Sequence, residues 1–350
     1  MIINLSTEKI MKIDNNQDNN QIDSTQTIKN QYEIFKNTLN DPTKAIRLAI
    51  FNAKRHINAD AFYKWEKKEP GCIEGILCAY SEMLNSINEP LSINVINKIR
   101  TQLFQNNEKY GEYQKYDTIS INSFVISGVS HGFGISPNPK RLEYIEKYAK
   151  EVQNKYNFDT LPFDVNVAGN IAMVGGAASC DGDPEKYTET VINSYNNSYN
   201  ENDNKLLSII ELVKTLELIH PYNDFNCRTF CVLILNRELI KHNLPPALME
   251  DPNCFDSQYI DELKESVKVG QKNFLELSIN GKAKTYNSSN EEWRDFIIKE
   301  NDANTLKTFN RMTKDTYNLQ IDGKQQNPIE SLNNNSKEIQ KFAELSPCRT

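Results

Sequence analysis

The stretch His220-Pro221-Tyr222-Asn223-Asp224-Phe225-Asn226-Cys227-Arg228 decides how this chain reads. Upstream of it, Leu206, Ile209, Ile210, Val213, Leu216 and Ile219 recur at helical spacing and mark one apolar face of a helix over 204–219. Downstream, Phe230, Val232, Leu233, Ile234, Leu235, Leu239 and Ile240 cover nearly the whole circumference of a second helix over 228–241. A helix apolar all round is a buried one, so this helix is expected at the centre. Leu244-Pro245-Pro246 ends it.

The polar turn between the two helices gathers several chemical roles. An imidazole stands at one helix end, a carboxylate follows four residues later, and an Asn and an Arg open the next helix. The free N–H groups at such an N-terminus favour bound phosphate. An Arg adds a planar fork that matches phosphate oxygens. A carboxylate beside bound phosphates is a usual magnesium ligand. A His titrating near neutrality can take a proton from a hydroxyl. Each residue alone is more often structural, a satisfied His or a capping Asp. Together, His220, Asp224, Asn226 and Arg228 suit in-line attack on a phosphate.

Outward from this centre, other helices are expected from Asp41-Pro42-Thr43 through Ile57, over Cys72–Leu84, over Ile93–Phe104, after Pro137 and Pro139, and around Tyr259–Val267. Residues 118–128 are β-branched and aromatic and predict a short strand or hairpin. Residues 1–40 are polar and Asn/Gln-rich and predict a loose or disordered arm. The body is expected over 41–285, with an insertion at 160–202, and 286–350 reads as an appendage with a weak helix near Trp293–Ile298.

The chain has 350 residues, is 38% hydrophobic and 25% charged, and carries a net charge of -7. That balance predicts a soluble globular protein with a sizeable core and argues against nucleic acid as the main partner. Seven cysteines with no CxxC pair predict reduced thiols in a cytosol-like compartment. Cys227 and Cys231 are four apart on one helix face; a redox pair or metal site is conceivable, but inert buried thiols are the expectation. A Cys227 nucleophile paired with His220 would leave Asp224, Asn226 and Arg228 unexplained. His56, His131 and His242 have no ligand-like spacing. No signal peptide and no membrane span are expected.

The segment at 220–231 resembles the motif of the Fic family, HPFx(D/E)GN(G/K)RxxR, and the two flanking helices and the Leu-Pro-Pro stretch agree with it. The resemblance implies a mainly α Fic-type helical fold with a small β-hairpin flap. It implies a transferase that moves AMP or another phosphate-linked group from a nucleotide donor to a Ser, Thr or Tyr hydroxyl of a target protein. His220 would be the general base, and Asp224 would hold Mg2+ against the donor phosphates. Asn226, with the backbone N–H groups of Phe225, Asn226 and Cys227, would form the anion hole, and Arg228 would neutralise a phosphate. The target would dock by strand addition on a flap at 119–126.

This copy departs from the pattern at four positions. Tyr222 stands for Phe, Phe225 for Gly or Ala, Cys227 for Gly or Lys, and Cys231 for the second Arg. A backbone needing positive φ at 225 would strain Phe225. The second Arg holds an outer phosphate in AMP-transferring members. Its loss suggests a donor without that phosphate, a different placement of it, or loss of activity, and some Fic-type bacterial effectors without it transfer phosphocholine from a CDP-linked diester. Many Fic proteins carry an inhibitory (S/T)xxxEG helix. Here Pro70-Gly71-Cys72-Ile73-Glu74-Gly75 keeps Glu74 without the Ser/Thr, which predicts that Glu74 no longer locks the site. The alternatives are a catalytically silent binding module and a hydrolase that removes such modifications. The architecture suggests a bacterial effector acting in a host cytosol.

Overall fold

The computed structural model describes residues 24–50, 59–103, 124–126, 139–168, 171–198, 204–222, 224–281, 288–313, 320–321 and 324–325. Five helices come first: α1 (Ser24–Asn40), α2 (Pro42–Ala49), α3 (Ala61–Lys68), α4 (Cys72–Asn85) and α5 (Ile93–Gln102). Strand β1 (Phe124–Ile126), helix α6 (Pro139–Tyr156) and strands β2 (Asp164–Ala168) and β3 (Ile171–Gly175) follow. Then come α7 (Pro184–Ser198), α8 (Lys205–Ile219), a π-helical stretch at Arg228–Ile234 that runs directly into α9 (Leu235–Lys241), and α10 (Ile260–Asn280). Helices α11 (Asn290–Lys299) and α12 (Ala303–Thr313) and the two-residue strands β4 (Gln320–Ile321) and β5 (Lys324–Gln325) complete the described chain. The fold is mainly α with a small antiparallel sheet, as the sequence predicts.

The two apolar helices form the centre. Leu216, Ile219, Phe230 and Leu233 are fully buried, and each such side chain removed from water contributes about 1.5–3 kcal/mol. Helix α8 is buried on nearly every side from Ile209 to Ile219, with Lys214 and Glu217 inside the core. The apolar stripe predicted a single buried face. Asp41 caps α2 by accepting from the N–H groups of Thr43 and Lys44, with Pro42 in the first turn, as the Asp-Pro-Thr signal implies.

Three stretches are more integrated than their composition suggests. Residues 24–40 form a helix, not a loose arm. Phe35 and Leu39 anchor it, and the Phe35 ring lies 5.2 Å from Tyr80 and 5.5 Å from Phe274. Three or four well-placed apolar groups per helix suffice for docking, and they are diluted here among Asn and Gln. The region 160–202 supplies β2, β3 and α7, and α7 packs on α8 through buried Val191 and Ile192. Its helix and strands thus pack against the body. In the C-terminal region α11 and α12 also dock: Trp293 is buried under the Arg47 guanidinium at 4.8 Å, and Phe62 meets Phe309 edge-on at 4.9 Å.

The sheet is three-stranded, in the order β1-β3-β2, all antiparallel. Phe124 pairs with Val174 and Ile126 with Ala172. Of the stretch at 119–126 where a flap hairpin was expected, the described residues hold the edge strand Phe124–Ile126, whose partner comes from 171–175; the rest lies outside the described residues.

Candidate functional site

Helix α8 ends because His220 adopts a left-handed backbone, φ +51°, while its N–H donates to the Leu216 carbonyl at 3.3 Å. A non-glycine residue in that region is uncommon and marks a position fixed by its surroundings. Gly176, just past β3, is one of the surroundings. A Cβ there would lie 2.6 Å from the Ile219 carbonyl oxygen and 2.9 Å from the His220 Cβ, so only glycine lets this strand end pass over the helix end. The imidazole hydrogen-bonds the Glu217 backbone carbonyl, and burial pulls its pKa down to about 4. His220 is therefore neutral at physiological pH and able to accept a proton.

The turn that follows is held by side chain to backbone bonds. Asn226 Nδ2 donates to the Tyr222 carbonyl at 2.6 Å and its Oδ1 accepts from the Tyr222 N–H at 3.1 Å. The Tyr222 hydroxyl donates to Asn97 Oδ1 at 2.8 Å, and Arg100 lies over the Tyr222 ring at 4.1 Å while donating to the Asp224 carbonyl at 3.3 Å. Asn226 thus spends its amide on the loop, and what it offers an anion is its backbone N–H. The sequence alone pointed to no role for Asn97 or Arg100, because their signal is only their place on the inner side of α5.

Phe225 carries φ +67° and is buried. The strain foreseen for a bulky residue at a glycine-like position is present. Its N–H donates to Asp224 Oδ1 at 2.6 Å. The Thr229 N–H is bonded to the Phe225 carbonyl at 2.8 Å, which starts the helix; of the anion-hole N–H groups expected at 225–227, that of Phe225 is taken by Asp224, and those of Asn226 and Cys227 lie in the first helical turn. Asp224 is partly exposed at this mouth; with one oxygen accepting from the Phe225 N–H, its carboxylate could hold Mg2+, an ion that takes one or two protein carboxylates and completes its shell with substrate phosphates and water.

Arg228 is engaged from within the protein. Its guanidinium lies 2.5 Å from Glu69 Oε2, 4.2 Å from the Phe225 ring and 5.7 Å from the Trp65 ring. Glu69 is presented by the turn before α4. There Gly71 takes φ +83° and its N–H donates to Glu66 at 2.7 Å. Glu74, one turn into α4, is ion-paired with Arg311 of α12. Neither Glu69 nor Trp65 carried a sequence signal; the Pro70-Gly71 turn that aims Glu69 was the nearest clue.

The thiols of Cys227 and Cys231 face each other and, together with the Glu217 carboxylate, sit within 4.8 Å of one another. His242 is partnered by Glu238 at 3.5 Å, away from the motif and in keeping with its structural reading.

The comparisons add one relative. Over 119 residues the chain is 36% identical to the phosphocholine transferase AnkX of Legionella pneumophila. The matched segment is 31% of this chain and 12% of AnkX, so the chain spans only a small part of that protein's length. No protein-family model matches the chain. No described helix is long and apolar enough to cross a membrane.

Proposed function

We propose that this chain is a Fic-type transferase that moves a phosphate-linked group from a nucleotide donor to a Ser, Thr or Tyr hydroxyl of a target protein. The observation that carries the reading is a neutral, enclosed His220 one short turn from the first turn of the helix that begins at Asn226. In the reaction the target oxygen attacks the donor phosphorus while His220 takes its proton. A new P–O bond forms and the bond to the leaving phosphate breaks. The first-turn amides and Arg228 accept the charge on the phosphate oxygens. Mg2+ at Asp224 would supply Lewis acidity toward the donor phosphates.

Cys231 in place of a second Arg, and the likeness to a phosphocholine transferase, favour phosphocholine from CDP-choline over AMP from ATP. With that donor the leaving group is CMP. The target hydroxyl would approach along the edge strand at 124–126. The likeness to a Legionella protein also agrees with a bacterial effector working in a host cytosol.

The test is intact-mass spectrometry of the protein with lysate, magnesium and a panel of ATP, GTP, UTP, CTP and CDP-choline, with His220→Ala alongside. A mass gain of one phosphocholine, absent in the variant, supports the reading. A nucleotide mass instead would move the donor to an NTP. No gain with any donor, with nucleotide still bound, points to the second reading, a silent binding module. Glu69 on Arg228 and the Phe225 ring at the mouth are the observations that favour it.

A further inference from the structure

We propose that Glu217, Cys227 and Cys231 form a binding site for a thiophilic divalent cation, zinc first among them. Their ligand atoms all lie within 4.8 Å of one another. Around a tetrahedral zinc, with sulfur at about 2.3 Å and oxygen at about 2.0–2.2 Å, neighbouring ligand atoms lie about 3.5–3.8 Å apart, so side-chain shifts of up to about 1 Å close the triad. Two rigid elements set the geometry. Glu217 comes from the last turn of α8, and the two thiols come from one face of the helix that starts at 226.

The second observation is the state of the carboxylate. Glu217 is 2% exposed, and its carboxyl meets both the Cys231 thiol and the Asp256 carboxyl. Two buried carboxyl groups side by side repel when both are ionised, and a cation among them and the thiols would offset that repulsion. The Cys231 thiol is in contact with both Cys227 and Glu217, and Asp256 lies beside Glu217. Asp256 is placed to serve as the fourth ligand or to orient Glu217. Two thiolates and a carboxylate carry three negative charges. The ion offsets two of them, and Lys214 is the buried cation nearby. Cys227 is the least enclosed residue of the three. Two thiols with carboxylate oxygen suit zinc and disfavour the hard, oxygen-seeking magnesium expected at Asp224.

The experiment is metal analysis of the purified full chain together with cobalt(II) substitution. Zinc at one ion per chain, and a thiolate-to-cobalt charge-transfer band, are expected in the wild type. Both should be lost in Cys231→Ser, and affinity should fall at least about tenfold in Glu217→Gln. Cys78→Ser and Asp224→Ala should keep both. Circular dichroism checks that each variant folds; should Cys231→Ser unfold, the partly exposed Cys227→Ser decides. A wild type that takes up neither zinc nor cobalt with its thiols reduced overturns the proposal. So does a Cys227–Cys231 disulfide found in place of the ion. Both readouts are independent of transferase activity, so they stand or fall separately from the reading of His220.

Discussion

Arg228 Nη2 and Glu69 Oε2 are 2.5 Å apart, and both side chains are nearly out of solvent. The only cation at the mouth of the first helical turn, among the described residues of the motif, is thus held by a carboxylate that a phosphate must displace. Glu69→Gln should tighten donor binding about tenfold. That corresponds to one charged hydrogen bond of about 1.5 kcal/mol made available to the ligand. Calorimetric titration with CDP-choline and ATP measures it. Weaker binding in the variant would mean that Glu69 orients Arg228 for phosphate instead of competing with it.

Glu74 should behave differently. It is spent on Arg311 at the surface, so Glu74→Gly should change the transfer rate by less than about twofold, in line with the small worth of exposed ion pairs. Initial rates read by mass spectrometry decide this, and strong activation would restore Glu74 as a lock.

His220 makes a pH prediction of definite sign. Its folded pKa is down to about 4, below the ordinary value of about 6.5. A rate that depends on the neutral base should stay level from neutrality downward and fall only as pH nears about 4. Stability has the same direction. The unfolded chain binds this proton at higher pH than the folded one, so stability is lost as pH drops from about 6.5 toward about 4. His220→Gln should flatten that part of the pH dependence of Tm.

Gly176 tests the packing over the helix end. Gly176→Ala should cut the rate by up to about 100-fold through displacement of His220, since its Cβ meets the Ile219 carbonyl at 2.6 Å. Donor affinity should change little. Equal loss of affinity and rate would place the damage in the fold as a whole.

Phe225 gives a backbone test. At φ +67°, Phe225→Gly should be more stable than Phe225→Ala by about 1 kcal/mol, in chemical denaturation. The ordering, not the absolute change, is the readout, because both variants lose the ring that Arg228 covers.

Much of this centre was legible in residues 204–241. Apolar periodicity fixed α8 and the helix after it, and the polar turn between them held the chemistry. The strain at Phe225 could be anticipated, because a glycine-like position does not tolerate a side chain. What periodicity could not show was partnership. Nothing local distinguishes Glu69 from Glu74, since the choice depends on which turn faces Arg228. The periodicity marks one face of α8, and only packing on every side buries Lys214 and Glu217. Gly176 sat in a stretch that seemed peripheral, because a strand crossing a helix end is a long-range contact. Asn226 read as an anion ligand by type, whereas its amide holds the loop at Tyr222.

Phe35 has a consequence for how the chain is made. Its ring closes against Tyr80 on one side and Phe274 on the other, and Arg47 donates to the Ser288 carbonyl and to Asn290. These contacts join the first part of the chain to segments synthesised far later. Helix α1 can close on α2 and α4 early, but the face of Phe35 that meets Phe274 stays uncovered until α10 has left the ribosome. Yield in a cell should therefore respond to translation speed and chaperone supply as well as to the stability of the finished fold.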